Sequence, residues 1–171
     1  MLLLKEHKPI IKSLSENFIK SLTCLYVILR DDSEEDLSKF DMAHEVVVAL
    51  IIQSQMVLLG LRAVTREYYP NVWDMFGGHV EPGEGREQTL ARELEEELGI
   101  TPTQWTYIET IHKPSEQLTL HLYLVTEWSG TPVNLQYDEH SAIDWFTLAE
   151  ATQLPLANPI YPALFARYLS S

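Results

Sequence analysis

GHVEPGEGREQTLARELEEELGI, residues 78–100, carries the strongest signal in the chain. Glycine, glutamate, arginine and apolar residues recur in it at fixed intervals. These positions are Gly78, Glu84, Arg92, Glu93, Leu94, Glu96, Glu97, Gly99 and Ile100. A merely solvated acidic helix needs no such spacing, because its charges only have to face water. The spacing therefore indicates a functional site.

The second half of this stretch has the period of an amphipathic helix. Leu90, Leu94 and Leu98 recur every four residues and predict one buried stripe. Gly99 is well placed as the left-handed residue just past the C-terminus. We therefore expect a helix from about Arg86 to Leu98.

Three glutamates share one edge of this predicted helix. At about 100° per residue, Glu93, Glu96 and Glu97 lie beside the apolar stripe, whereas Glu95 points nearly opposite. Like charges at three- and four-residue spacing repel by roughly 0.2–0.5 kcal/mol per pair. A bound divalent cation removes this conflict, and ligation by oxygen atoms suits Mg²⁺ or Mn²⁺.

The complete pattern resembles the Nudix box, and no position departs from it. The resemblance implies an α/β/α sandwich on a mixed β-sheet, with a catalytic loop and helix. It also implies metal-assisted hydrolysis of a nucleoside diphosphate linked to another group. Glu93, Glu96 and Glu97 are implied to be catalytic metal ligands, and the carbonyl of Gly77 is implied to add a further ligand.

Two more charged positions belong to the box. The resemblance implies that Glu84 and Arg92 position the loop and the ligand glutamates. Ordinary surface roles remain open for both, as a turn residue for Glu84 and as an ion-pair partner for Arg92.

Within the family, the C-terminal third is most similar to the MutT-like nucleoside triphosphate diphosphatases. Residues 121–128, 138–146 and 154–159 carry this likeness. Asn158 stands where that branch recognises a purine edge, and an amide offers the donor and acceptor that guanine or 8-oxoguanine requires. Asparagine before Pro159 is equally a good helix N-cap, so both uses remain open.

The same likeness supplies the remaining candidate residues. Glu139 corresponds to a loop carboxylate that the branch contributes to the metals. Arg62, after a strand, and His79, in the box loop, are candidates for contacts with phosphate. Met75 and Phe76 stand where the branch often has Phe-Pro before the glycine pair, and are candidates for substrate contact. The other histidines lack metal-ligand spacing and are predicted to be ordinary polar or core residues: His7, His44, His112, His121 and His140.

Composition limits the number of domains and the environment. With 171 residues, 46% of them hydrophobic, the chain can bury one good core. We divide it into an N-terminal extension, residues 1–43, and a catalytic domain, residues 44–171. The apolar run 46–52 is too short to span a bilayer. Cys24 is the only cysteine, which excludes an intramolecular disulfide and suits a reducing cytoplasm.

The net charge of the chain limits the kinds of molecule that it can bind. Twenty-five acidic and 12 basic residues give a formal net charge of −13. This excess repels the backbone of long nucleic acids, so duplex binding is not expected. A small nucleotide carried as its metal complex is the expected partner.

Alternating apolar residues and breakers predict the remaining elements. Strands are predicted over residues 46–52, 56–61, 104–111, 118–128 and 142–146, and helices are predicted to begin at Thr147 and Pro159, the second ending at Leu169.

Several functional alternatives stay open. If the MutT likeness holds, the products are a nucleoside monophosphate and pyrophosphate, with Glu93, Glu96 or Glu139 as the general base. Hydrolysis of ADP-ribose or another nucleotide sugar is one alternative, since Pro114 lies one residue from where ADP-ribose hydrolases carry a proline. The other is a non-catalytic Nudix module that senses a nucleotide, although the intact box glutamates argue against it.

The extension provides a first test. Ile11, Leu14 and Phe18 recur near helical spacing and need cover, from the domain or from a second copy in a homodimer. We expect removal of residues 1–43 to leave hydrolysis measurable, with light scattering reporting any change in oligomeric state. A truncated chain that is both unfolded and inactive would show that the domain boundary is wrong.

Overall fold

The computed structural model describes residues 44–169. The predicted extension, with Cys24 and His7, lies outside these residues. The strands are β1 His44–Gln53, β2 Met56–Arg62, β3 Trp73–Asp74, β4 Phe76–His79, β5 Thr101–Lys113, β6 Leu118–Ser129 and β7 His140–Thr147; the α-helices are α1 Arg86–Leu98, α2 Leu148–Ala151 and α3 Tyr161–Leu169. None of the described helices is long and apolar enough to cross a membrane.

The strands form one mixed sheet. Its order is β3-β2-β1-β6-β5, with β4 paired to β1 and β7 paired to β2. β1 and β6 run parallel, whereas the other pairs are antiparallel. β1 pairs with β2 only at the hairpin end, Ile52↔Val57 and Gln53↔Met56, and earlier residues pair with β4. This split places β4, which leads into α1, at the centre of the fold.

Alternation along β1 separates two hydrophobic clusters. Val48 and Leu50 belong to one cluster, while Val47, Ala49 and Ile51 belong to the other. Successive side chains of a strand point to opposite faces, so β1 is buried on both sides. Its near-continuous apolar sequence follows from this burial.

Helices cover both faces of the sheet. Leu90, Leu94 and Leu98 of α1 are at most 1% exposed and enter one cluster. Leu164 and Phe165 of α3 enter the other. The result is the α/β/α sandwich that the box predicts, and the bounds of α1 agree with the predicted helix.

One predicted boundary is wrong. The last helix begins at Tyr161 rather than at Pro159. The Asn158 side-chain oxygen accepts a hydrogen bond from the Ile160 N–H at 3.2 Å, and its carbonyl accepts from the Tyr161 N–H at 3.2 Å. Because an asparagine side chain can compete with the helix for a backbone N–H, the chain makes a turn before α3.

Packing under α1 should dominate the stability of the domain. Leu94 is fully buried, and we expect Leu94→Ala to lower the free energy of unfolding by roughly 2–5 kcal/mol. Val64, 69% exposed, is the control, because Val64→Ala should change it by less than about 0.5 kcal/mol. Urea denaturation of the full chain measures both, and equal losses would contradict this assignment of the core.

Candidate active site

The end of β4 packs directly against the carboxylates of α1. A Cβ on Gly78 would overlap the Glu93 carboxylate, and a Cβ on Gly77 would overlap the carbonyl of Val47. Gly77 also has a φ of 140°, a conformation that side chains rarely adopt. Gly77 therefore has to be glycine for β4 to lie against β1, and glycine at position 78 leaves the Glu93 carboxylate in its observed place.

Arg92 ties the box together. Its guanidinium donates to Glu84 Oε1 at 2.9 Å and Oε2 at 3.1 Å, to Glu93 Oε1 at 2.8 Å and to Glu96 Oε2 at 3.2 Å. It also donates to the carbonyl of His79 at 3.2 Å. The hydrogen bonds from Arg92 lower the pKa of Glu84 to about 2. These contacts fit the predicted positioning of loop and glutamates better than an isolated surface ion pair.

The three box glutamates differ in burial. Glu97 is 4% exposed, whereas the side chains of Glu93 and Glu96 are 15% and 50% exposed. Burial raises the pKa of Glu97 well above its usual range. The Gly77 N–H, which donates to Oε2 at 3.0 Å, lowers this pKa but does not offset the effect of burial. Burial also raises the pKa of Glu93. Within residues 44–169, no lysine or arginine forms an ion pair with Glu97.

A second carboxylate from outside the box meets Glu97. One ligand atom from each of Glu97, Glu139 and His140 lies within 4.8 Å of the other two. Glu139 also pairs with Arg66 at 3.0 Å. Buried charges need a partner of opposite charge, and carboxylate oxygens are the ligands that Mg²⁺ and Mn²⁺ accept. The residues present therefore fit a divalent cation.

His140 was missed as a member of this cluster. The sequence predicts an ordinary polar or core residue, and the ring is indeed only 2% exposed. Burial lowers its pKa to about 4. Its Nδ1 lies 3.9 Å from Glu97 Oε1, a proximity that no sequence spacing indicates. The only available signal was its position next to Glu139.

A cavity of about 930 Å³ extends from the carboxylates to the turn before α3. This volume lies in the range of small-ligand sites, roughly 300–1,000 Å³. The predicted site residues that line it are Arg62, Met75, Phe76, Gly77, His79, Arg92, Glu93, Glu139 and Asn158, and Arg66, Tyr68, Tyr69, Asp74 and Tyr161 are residues that sequence reasoning missed.

The end of the cavity far from the box is polar and buried. Asn158 is 4% exposed, and its amide nitrogen has no hydrogen-bond partner among residues 44–169. Asp74 Oδ1 accepts from the Tyr161 hydroxyl at 2.7 Å and from the Met75 N–H at 2.9 Å. Burial raises the pKa of Asp74. This end therefore presents an amide and a carboxyl group to a ligand.

Of the three arginines that line the cavity, Arg62 and Arg66 have different partners. Arg62, the predicted phosphate contact, donates to Asp74 Oδ2 at 3.4 Å and to the carbonyl of Tyr68 at 3.1 Å. Arg66 lies beside Glu139, on the side of the carboxylates. Its position favours Arg66 over Arg62 as a phosphate contact.

The other three predicted substrate contacts, Met75, Phe76 and His79, differ in how far their side chains are exposed. Met75 is 5% exposed and packs with the cluster of α3. Phe76 adjoins the cavity, but its ring is 1% exposed, lies in the cluster beneath α1 and packs on His140 at 5.0 Å between centroids. The ring of Phe76 is therefore not available to a base, because alternation in β4 turns it away. His79 is exposed, and its ring contacts His44.

Comparison with known proteins agrees with this arrangement. Residues 42–168 match the family model described as the NUDIX domain. The chain is 38% identical over 124 residues to a CTP pyrophosphohydrolase of Escherichia coli, covering 71% of this chain and 89% of that protein. It is 30% identical over 118 residues to an 8-oxo-dGTP diphosphatase of the same species, covering 67% and 89%.

Solved structures show the same fold. A MutT NUDIX hydrolase from Burkholderia pseudomallei matches with a TM-score of 0.58 and 31% identity, covering 63% of this chain and 84% of that one. A MutT structure from work on Aliivibrio salmonicida and Vibrio cholerae matches with a TM-score of 0.62 and 27% identity, covering 72% and 97%.

Glu97 is the box carboxylate on which cation binding should depend most. We expect Glu97→Gln to lower kcat for a nucleoside triphosphate by roughly 10²-fold or more, because a ligand charge is lost while the fold is kept. Calorimetry should show weaker Mg²⁺ binding.

Glu95→Gln is the matched control on the same helix. Glu95 is exposed and bonds the Thr101 hydroxyl at 3.0 Å, so turnover should stay within about threefold. Near wild-type turnover in Glu97→Gln, or full activity of the wild type in excess chelator, would exclude the metal site.

Proposed function

The chain belongs to the Nudix hydrolase family, and on this basis we propose that it hydrolyses a nucleoside triphosphate to a nucleoside monophosphate and pyrophosphate. The observation that carries the proposal is the cavity itself. Its lining includes Glu93 of α1 and Glu139, and also Asn158, whose amide nitrogen has no partner among residues 44–169. A triphosphate bound along it would place its phosphates at the box and its base at Asn158.

The roles of the box residues follow from their contacts. Glu93, Glu96 and Glu97, with the carbonyl of Gly77 and with Glu139, would hold Mg²⁺ or Mn²⁺. When bound, the cation supplies charge neutralisation for the phosphates and lowers the pKa of a bound water. Arg92 keeps Glu84, Glu93 and Glu96 in place through its hydrogen bonds.

One carboxylate must accept the proton of the attacking water. Glu97 is the poorest candidate, because it is buried and already accepts from the Gly77 N–H. Glu93, Glu96 and Glu139 remain, and all are more exposed than Glu97. The general base is thus proposed to be one of these three. Arg66, 3.0 Å from Glu139, would contact the phosphates.

The far end of the cavity is proposed to recognise the base. The amide nitrogen of Asn158 can donate to a carbonyl of a purine such as 8-oxoguanine, and Asp74, with its raised pKa, adds a carboxyl group within the same pocket. A pyrimidine is the second candidate, because the relative with 38% identity is named a CTP pyrophosphohydrolase. Cytosine also offers donors and acceptors along one edge.

Two other substrate hypotheses have weaker support. Hydrolysis of a nucleotide sugar such as ADP-ribose rests on Pro114 alone. Pro114 begins a short 3₁₀ turn, Pro114–Glu116, but does not itself line the cavity. A non-catalytic sensing module has less support, since Glu97 and Glu139 come together in one potential metal cluster and the relatives are named as a pyrophosphohydrolase and a diphosphatase.

The environment of the protein is also a proposal. We place it in the cytoplasm, because its single cysteine suits a reducing compartment. Its net charge of −13 favours a small nucleotide over duplex nucleic acid.

Asn158 separates base recognition from helix capping. Asn158→Ala should raise KM for purine triphosphates and reduce discrimination against pyrimidines by about ten- to a hundredfold in kcat/KM. Asn158→Asp keeps the oxygen that accepts from the Ile160 N–H and replaces the amide donor by a second carboxyl oxygen. We expect the aspartate variant to be stable but to show altered base preference.

The assay is a panel of 8-oxo-dGTP, dGTP, CTP and ADP-ribose with Mg²⁺, together with thermal unfolding of each variant. If Asn158→Ala lowers only the melting temperature and leaves the ratio of kcat/KM values across bases unchanged, Asn158 is a cap. The 8-oxo-dGTP hypothesis then loses its main residue.

A further inference from the structure

One buried polar atom beside the carboxylate cluster lacks a partner and faces a carboxylate oxygen. His140 Nδ1 has no hydrogen-bond partner among residues 44–169. Glu97 Oε1 lies 3.9 Å away, and it accepts no hydrogen bond from the same residues, whereas Oε2 accepts from the Gly77 N–H. Both residues are at most 4% exposed. Buried polar atoms are rarely left unpaired, so a partner for His140 Nδ1 is expected, and Glu97 Oε1 is an acceptor 3.9 Å away.

The surroundings hold the His140 ring in place. The ring lies against Gly60 of β2, where a Cβ would come within 2.9 Å of its Cγ. Its other neighbour is the ring of Phe76. The His140 N–H donates to the Gln136 carbonyl at 2.9 Å, and its own carbonyl accepts from the Asn134 side chain at 2.7 Å. Backbone and ring are therefore both fixed, and Nδ1 faces Glu97.

The chemistry at Nδ1 has two alternatives. A neutral imidazole carries one N–H, and the other nitrogen is an acceptor. A lone pair at Nδ1 would repel the Glu97 carboxylate, whereas an N–H there would be attracted to it. A metal-ligating histidine almost always donates from its other nitrogen to an acceptor, and His140 Nε2 makes no hydrogen bond within the described residues. Both points favour Nδ1–H as a donor over Nδ1 as a ligand.

We propose that His140 is a positioning residue whose Nδ1–H donates to Glu97 Oε1 when the Glu97 carboxylate closes the 3.9 Å that separates the two atoms in this structure. Together with the Gly77 N–H on Oε2, it fixes both carboxylate oxygens and turns their free lone pairs toward the cation. This role of His140 rests on one part of the proposed function, namely that Glu97 binds the cation. It extends the site beyond the box to a residue of β7.

A matched pair of variants tests the donor. Asparagine at position 140 retains an N–H near the place of Nδ1, and leucine has nearly the same shape without it. We expect His140→Leu to weaken Mg²⁺ binding to the full chain by about 10- to 100-fold, the usual effect of losing a partner of a metal ligand. His140→Asn should recover most of that loss. Calorimetry measures the affinity, and thermal unfolding checks that both variants fold.

Two results would overturn the role. Wild-type Mg²⁺ affinity in both variants shows that position 140 does not act on Glu97. Equal losses in both show that the ring's volume matters, not its donor.

The wild-type chain gives a test that needs no variant. ¹⁵N NMR of the labelled imidazole should show His140 protonated on Nδ1, without Mg²⁺ and with it. An Nδ1 that carries no proton in the Mg²⁺-bound chain, whether His140 is then a metal ligand or the Nε2–H tautomer, overturns the inference. Failure of the wild type to bind Mg²⁺ or release pyrophosphate counts against the proposed function instead, because the Nδ1 proton is still read in the metal-free chain.

Discussion

Three glutamates of like charge lie on one edge of α1, and the surrounding structure is organised around their mutual repulsion. Arg92 relieves part of it by binding Glu93 and Glu96 together with Glu84 of the loop. Glu97 lies on the buried side of the helix, beyond that guanidinium, with the Gly77 N–H as its donor. A divalent cation can supply the missing charge at Glu97, and it brings in the substrate's phosphates for the same electrostatic reason.

The end of α1 explains how a carboxylate from outside the box reaches this place. The last carbonyls of a helix have no partner within it. Here the Val133 N–H donates to the Leu98 carbonyl at 3.0 Å, and the Leu135 N–H donates to the Glu97 carbonyl at 2.9 Å. The loop after β6 is thereby held against the helix that carries the box. Glu139 lies four residues after Leu135 in the chain. The hydrogen bonds that end α1 therefore also help to place the Glu139 carboxylate near Glu97.

Local patterns predicted the parts of the structure that depend on local chemistry. The leucine period gave α1 with both of its ends, and apolar alternation gave the β1–β2 hairpin. The residues that were missed depend on pairing between distant segments. β2 and β7 align Arg62 with His140, and this register brings the histidine ring over Gly60. Neither the spacing of histidines nor their number contains that information, and the same holds for Arg66, which meets Glu139 across 73 residues. A pattern of family positions also does not say which face of β4 a ring takes: Phe76 lines the cavity, but its ring is buried, and its contact with substrate stays a prediction.

The two ends of the cavity are supported by different elements, and this has a consequence for specificity. The carboxylates depend on α1, β4 and the loop before β7, which are tied together by Arg92 and by the carbonyls of α1. Asp74 and Asn158 depend instead on β3 and on the turn before α3, which are joined by the Tyr161 hydroxyl and by hydrogen bonds between Trp73 and residues 155 and 157. If Asp74 and Asn158 contact the base, as proposed, a changed side chain at Asn158 should leave the hydrogen bonds of the box intact. The two ends of the cavity are held by different hydrogen bonds, so the proposed choice of base can vary while the box stays in place.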